Sequence, residues 1–344
     1  MKTALKFGLF SVFASLGLTV APAAFAAETL EIRNFVGSIN WSNGPTAVDV
    51  QGKIGDLKVT DGSGVIIDGN VDKIDRDACK SSYGRFKFDW FGKKKDGRFG
   101  GYENLEDYPV LNITLPADID LIIQNSVIFT DGTPDVGSAD IVLPHCGSVK
   151  LGDVENMLTL DNRGSANVTI GDTGRIEANL RGSGDLSAGQ SGDVLLSSYG
   201  SGDVELGNIK ALEMSLHGSG DADISDIDGA AEITSHGSGD VQLGIIDGSF
   251  SFSNHGSGDL VAASVTGPRL SLKTYGSGDI QIDGGDVEIL LVRVQGSGDA
   301  DYAGDAGSAN LRTSGSGDIY VNRVRSAAET KSSGSGDVDI DERG

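Results

Sequence analysis

Gly276-Ser277-Gly278-Asp279-Ile280-Gln281-Ile282 is the stretch that decides the fold. A glycine-framed Ser and Asp are followed by an apolar, a polar and an apolar residue. That alternation is a short strand with one buried face. The Gly-Ser-Gly-Asp tetrapeptide occurs nine times, starting at Gly182, Gly200, Gly218, Gly237, Gly256, Gly276, Gly296, Gly315 and Gly334. Successive copies are 18 to 20 residues apart, and a degenerate copy, Gly164-Ser165-Ala166-Asn167, stands 18 residues before the first. A fixed period of this length marks a solenoid.

Working outward, every motif is followed by the same apolar alternation, from Leu186 and Ala188 to Val338 and Ile340. A second alternating run precedes the motifs, with Leu212 and Met214, Phe250 and Phe252, Leu270 and Leu272, and Leu290 and Val292 as its inward positions. Between the two runs a lone apolar residue recurs at Ile209, Ile227, Ile246, Val265 and Val324. No segment keeps a 3.6-residue period. One coil cannot bury its apolar face or pair its own strand edges, so coils must stack in register, about 4.8 Å apart. Motif glycines suit a corner that needs positive φ or close approach of neighbouring coils. The Ser and Asp suit hydrogen bonds to the corner's own backbone, as in Asx and Ser/Thr turns. Parallel crossovers are right-handed, so the expected fold is all-β, a right-handed parallel β-helix.

Gly makes up 51 of 344 residues, and 27 basic residues face 50 acidic ones, a formal charge of −23. Apolar content of 38% besides glycine is enough for a packed core. Such acidity disfavours nucleic acid and anionic membrane surfaces as partners.

Residues 1–26 read as a signal peptide: Lys2 and Lys6, an apolar run, then Ala24-Phe25-Ala26 as the cleavage site. The expected mature chain starts at Ala27 and has no membrane-spanning segment. No C-terminal barrel strands are read. The protein is therefore expected in the periplasm, at the cell surface or outside the cell. Cys79 and Cys146 are the two cysteines, and in an exported chain they are expected to form a disulfide.

Tandem Gly-Ser-Gly-Asp copies, each followed by an apolar-x-apolar strand and set behind a signal peptide, resemble the bacterial "putative auto-transporter adhesin, head GIN domain" family. The resemblance covers residues 147–344. It implies an envelope or extracellular β-helical protein with an adhesive role, and it carries over no catalytic residue.

Residues 27–146 read as an irregular β-rich cap for the 147–344 solenoid. Within the cap, the insertion 80–108 stands apart. Phe86, Phe88 and Trp90 alternate with Lys87 and Asp89, and Lys93, Lys94 and Lys95 follow in a turn. Between Lys80 and Arg98 there are seven basic and two acidic residues. This is either a hairpin packed on the cap or a contact loop for an acidic glycan, a lipid headgroup or a protein. Its contact candidates are Arg85, Phe86, Phe88, Trp90, Lys93, Lys94, Lys95 and Arg98.

Three rows emerge when the repeats are superimposed. Tyr199, His217, His236, His255 and Tyr275 each stand just before a motif, forming an outward row of flat rings. Ring stacking, sugar contact and metal binding are all open to it. The motif aspartates form a ladder that either caps turns or binds calcium, with Asp203, Asp221, Asp240, Asp259 and Asp279 as candidate ligands. The nine-residue beat of a calcium roll is absent. Lys273, Arg293, Arg312 and Lys331 form a basic row, for charge balance or for a polyanion.

Beyond the repeats, no Ser-His-Asp order, metal-protease motif or nucleotide loop is present. The acids follow the repeat rather than breaking it, unlike a catalytic carboxylate pair. The expectation is an exported, non-catalytic β-solenoid without a cofactor, a binding or structural module for a cell-surface glycan or envelope protein. A carbohydrate-active β-helix enzyme, a polysaccharide lyase or hydrolase, is the alternative.

Overall fold

The computed structural model describes residues 23–24, 29–52, 55–62, 64–71 and 108–344. All regular elements among them are strands. The chain divides into two compact units, residues 1–155 with 162–169, and residues 156–161 with 170–344.

The second unit is a parallel β-solenoid. Leu186–Ala188, Val204–Leu206 and Ala222–Ile224 pair in parallel, so that Leu186, Val204 and Ala222 stand in line. The line runs on through Val241, Leu260, Ile280, Ala300, Ile319 and Val338. The strands before the motifs stack likewise, Leu212 on Ala231, Phe250, Leu270, Leu290 and Ala309. Isolated parallel bridges join Ile209 to Ile227 and Ile227 to Ile246, the third side of the coil. These residues are buried, whereas Val338 and Ile340 in the last coil are half-buried. Burial of the apolar columns is the main stabilising term of such a stack.

Of the two reasons expected for glycine at the corners, positive φ and close approach of neighbouring coils, the structure shows mainly the second. Among motif glycines only Gly334 has a positive φ, 146°. From Gly200 onward the motif glycines are required by close approach: a Cβ on Gly237 would overlap the carbonyl oxygen of Gly218 in the preceding coil. Backbone bonds cross that contact, Ser238 N donating to Gly218 O at 3.0 Å.

The first unit shares the parallel habit. Leu30 lies between Val65 and Leu121, and Val36–Asn43 pairs with Val110–Leu115 and Val127–Asp131. Two strands run against it: Ala47–Gln51 pairs antiparallel with Val110–Leu115, and Lys58–Asp61 with Val65–Asp68. Ala23 and Ala24 pair antiparallel with Val48 and Ala47. Cys146 is buried beside Val36 and Val127.

Candidate functional site

The flat-ring row lies wholly on the second unit. Each ring residue follows a buried side chain at the end of its strand, and its N–H donates to the coil before: Tyr199 to Leu180 O, His217 to Ser198 O, His236 to Leu216 O, each at 2.7 Å. This ladder sets the rings above one another. Centroids are 4.6 Å apart for Tyr199–His217, 4.7 Å for His217–His236, 4.8 Å for His236–His255 and 4.5 Å for His255–Tyr275. Interplanar angles are 2° to 9°. The faces therefore cover one another. What solvent meets is a strip of ring edges, and Arg181 and Gln295 continue the column beyond Tyr199 and Tyr275. His217 Nε2 and Ser215 Oγ are 3.0 Å apart, and His255 Nε2 and Ser253 Oγ 3.3 Å.

The aspartate ladder is bonded differently from the local turn caps expected. Each carboxylate reaches one coil onward. Asp185 Oδ1 accepts from Asp203 N at 3.1 Å, Asp203 Oδ1 from Asp221 N at 3.0 Å, and Asp221 Oδ1 from Asp240 N at 2.8 Å. The series continues through Asp259, Asp279, Asp299 and Asp318 to Asp337. Among the described residues, no group of three or more His, Cys, Asp and Glu is placed to hold a metal ion.

A buried polar column lies two residues before the motifs, and reading the repeats did not single it out. Asn254, Thr274 and Thr313 are almost fully buried. Asn254 Nδ2 donates to Gly258 O at 2.7 Å, Thr274 Oγ1 to Gly278 O at 3.3 Å and Thr313 Oγ1 to Gly317 O at 2.8 Å. Each satisfies a corner carbonyl from inside. These groups hold the corner and do not face solvent.

Three electrostatic features break the repeat. Arg325 donates through both terminal nitrogens to Asp286 at 2.6 Å, and this holds the Asp286 carboxyl below its usual range. Tyr302, inside the core, donates to Asp305 O at 3.1 Å, and burial, with Asp286 and Asp305 nearby, pushes its phenol up. Asp301 is raised too, by burial and by the Asp283 charge.

The insertion candidates Arg85, Phe86, Phe88, Trp90, Lys93, Lys94, Lys95 and Arg98 lie outside the described residues, as does Cys79. Most of the signal peptide does also. Among the described residues no helix is long and apolar enough to cross a membrane.

Coils stacked in register, with outward columns repeating once per coil, define a repeat-built parallel β-solenoid. The family model described as "Putative auto-transporter adhesin, head GIN domain" matches residues 148–251 and 249–343. The chain belongs to that family. No curated protein matches it. A solved structure titled a "putative adhesin" from Bacteroides fragilis is 13% identical, covering 94% of this chain and 96% of its own, with a TM-score of 0.26. A "putative lipid binding protein" from Parabacteroides distasonis is 12% identical, covering 95% of each chain, at 0.23. A "putative adhesin" from the same organism is 16% identical, covering 95% and 98%, at 0.21.

Proposed function

We propose that this chain is an exported, non-catalytic β-solenoid serving as an adhesin-type binding module outside the cytoplasm, for a cell-surface glycan or an envelope protein. The observation that carries this is the state of the motif acids. Eight of them, Asp185 to Asp318, each accept the next coil's amide. An acid bonded into the scaffold at every coil is a structural part, not a catalytic one. The solenoid then acts as a rigid support, and loops on rigid supports carry contact residues. The basic aromatic insertion 80–108 is the proposed contact, because aromatic and Arg side chains are what interfaces favour. No cofactor is needed for this role.

The test is a glycan-array and whole-cell binding screen with the mature protein. Alongside it run two variants, Trp90→Ala and the triple Lys93→Ser, Lys94→Ser, Lys95→Ser. Both are expected to lose binding with unchanged melting. Binding retained by both would exclude the insertion as the contact.

A carbohydrate-active enzyme is favoured by one observation, the raised Asp301 beside Asp283. A carboxyl raised by burial and by a neighbouring carboxylate is one half of the arrangement of acid–base pairs. Release of reducing ends or unsaturated uronates from polysaccharides, lost in Asp301→Asn, would establish it.

A further inference from the structure

Lys273, Arg293, Arg312 and Lys331 occupy one column of the second unit. Lys273 is the ladder partner of Arg293, Arg293 of Arg312, and Arg312 of Lys331. All four are exposed. Neighbouring coils in a parallel stack lie about 4.8 Å apart, so four cations stand in a line at that spacing. Like charges directly opposite one another destabilise a sheet.

Compensation inside the chain is thin. Arg312 alone has an acid partner, Glu329, at 3.0 Å. Arg293 meets a neutral group, the Gln295 side-chain oxygen, which in its satisfied orientation accepts from Nε at 3.3 Å and Nη2 at 3.0 Å. Among the described residues, Lys273, Arg293 and Lys331 have no ion pair. Elsewhere in the same unit Arg175, Arg323 and Arg325 each sit on a carboxylate. Among the described residues of that unit Arg181, Lys210, Arg269 and Arg343 have no ion pair either; what sets the stripe apart in a chain of net charge −23 is four cations on successive coils with one carboxylate among them.

The column has a second half. Toward the N-terminus it continues from Lys273 through Ser253 and Thr234 to Ser215. Hydroxyls thus extend the line of cations. Beside it runs the ring row, with Tyr275 two residues beyond Lys273.

We propose that Lys273, Arg293, Arg312 and Lys331 form a binding stripe for a linear anionic polysaccharide lying along the stacking direction. The assignment rests on the reading of the chain as a binding module and adds a second contact, apart from the insertion. Carboxylate or sulfate groups along the glycan supply the missing counter-charges. Its neutral hydroxyls meet Ser253, Thr234 and Ser215. The width of the stripe selects the ligand. It is one residue per coil; the neighbouring column on the same face is Ser271, Leu291, Asn310 and Glu329, and the motif acids Asp299, Asp318 and Asp337 follow six residues later, past the corner. A single sugar chain along the column meets the four cations without reaching those acids. Duplex DNA or a flat anionic bilayer would spread over them and be repelled.

The test uses the mature full-length chain, polygalacturonate as the carboxylated probe and heparin as the sulfated one. The variant is Lys273→Gln, Arg293→Gln, Lys331→Gln combined. Wild type is expected to bind at least one probe, more weakly as salt rises. The variant should lose roughly tenfold in affinity, as three exposed charge pairs would give. Its melting should be unchanged or higher, since repulsion is removed. The Lys93–Lys95 serine triple should keep this binding. Preference for one probe names the anion. The proposal is overturned by no binding to either probe, by equal binding of wild type and variant, or by tighter binding to duplex DNA or anionic vesicles. If stripe binding fails while array or cell binding persists and depends on the insertion, only the stripe is lost.

Discussion

The Asp221 carboxylate accepts the backbone N–H of Asp240, one coil onward, at 2.8 Å. A chain of such bonds explains how so many aspartates stand in line in an acidic protein. Each charge meets an amide dipole, which offsets repulsion along the column. Asp221→Ala leaves the Asp240 amide without its side-chain acceptor. It should lower stability by about 1 kcal/mol, the usual net value of one hydrogen bond. EDTA should leave the wild-type melting temperature unchanged. A fall in EDTA that Ca²⁺ reverses would instead place the metal on the ladder, since a ligand bound only by the native state raises its stability.

The motif glycines make a second, sharper prediction. A Cβ at Gly237 would run into Gly218's carbonyl oxygen, a backbone atom that cannot turn aside. At Gly284 the nearest outside atom, Ala263 O, is 4.0 Å away. Gly237→Ala should therefore cost about 1–3 kcal/mol, as overpacking does. Gly284→Ala should change stability little. Urea midpoints at unchanged m-value would measure both.

How much was legible follows from what a repeat records. The inward line from Leu186 to Val338 could be read because each member sits at a fixed offset from its motif. The partner of each aspartate could not, because the amide it meets lies 18 to 20 residues away and is reached only through stacking. Asn254, Thr274 and Thr313 were hidden for another reason. Leu180, Leu216 and Val294 fill the same column in other coils, so a position that is polar in the rest does not announce itself as buried. Nor could the antiparallel strands Ala47–Gln51 and Lys58–Asp61 be oriented, since no motif fixes register in that part of the chain. The ring row and its stacking were legible, because flat rings at one fixed offset before each motif must meet when the coils stack in register.

The two cysteines are expected to be joined. Cys146 is buried. Peptide mass spectrometry without reduction should find Cys79 linked to Cys146, and two alkylatable thiols would exclude the bond. Closing a loop of this length should contribute roughly 2–4 kcal/mol, so the Cys79→Ser, Cys146→Ser double variant should unfold earlier.

Tyr302 should make the fold sensitive to alkali. Its phenol is raised in the folded state, so the unfolded chain loses this proton first as pH climbs. The stabilisation is complete below the unfolded value, about pH 10, and is lost as pH rises from there toward the folded value. Tyr302→Phe forfeits the bond to Asp305 O, about 1 kcal/mol at neutral pH. It should nonetheless show a flatter fall in stability above pH 10 than the wild type. Parallel profiles would show that this phenol does not set the alkaline limit.

His236 lies between two rings, 4.7 Å from His217 and 4.8 Å from His255. If the slot is filled for stacking, it should accept any flat ring, as Tyr199 and Tyr275 at the row's ends suggest. His236→Tyr should then keep wild-type stability, while His236→Ala, losing two ring contacts, should cost about 0.5–1 kcal/mol. Metal binding asks for a different geometry. Two imidazole nitrogens on one zinc, each at about 2.0–2.1 Å, can be no more than about 4.2 Å apart. Parallel rings nearly 5 Å apart would have to tilt and give up their stacking. Zn²⁺ should therefore leave the melting temperature where it is. A zinc-dependent rise that His236→Ala and His236→Tyr both abolish would show the row to be a metal site. Equal loss of stability in both variants without zinc would show that the imidazole itself, rather than its flatness, is what the row requires.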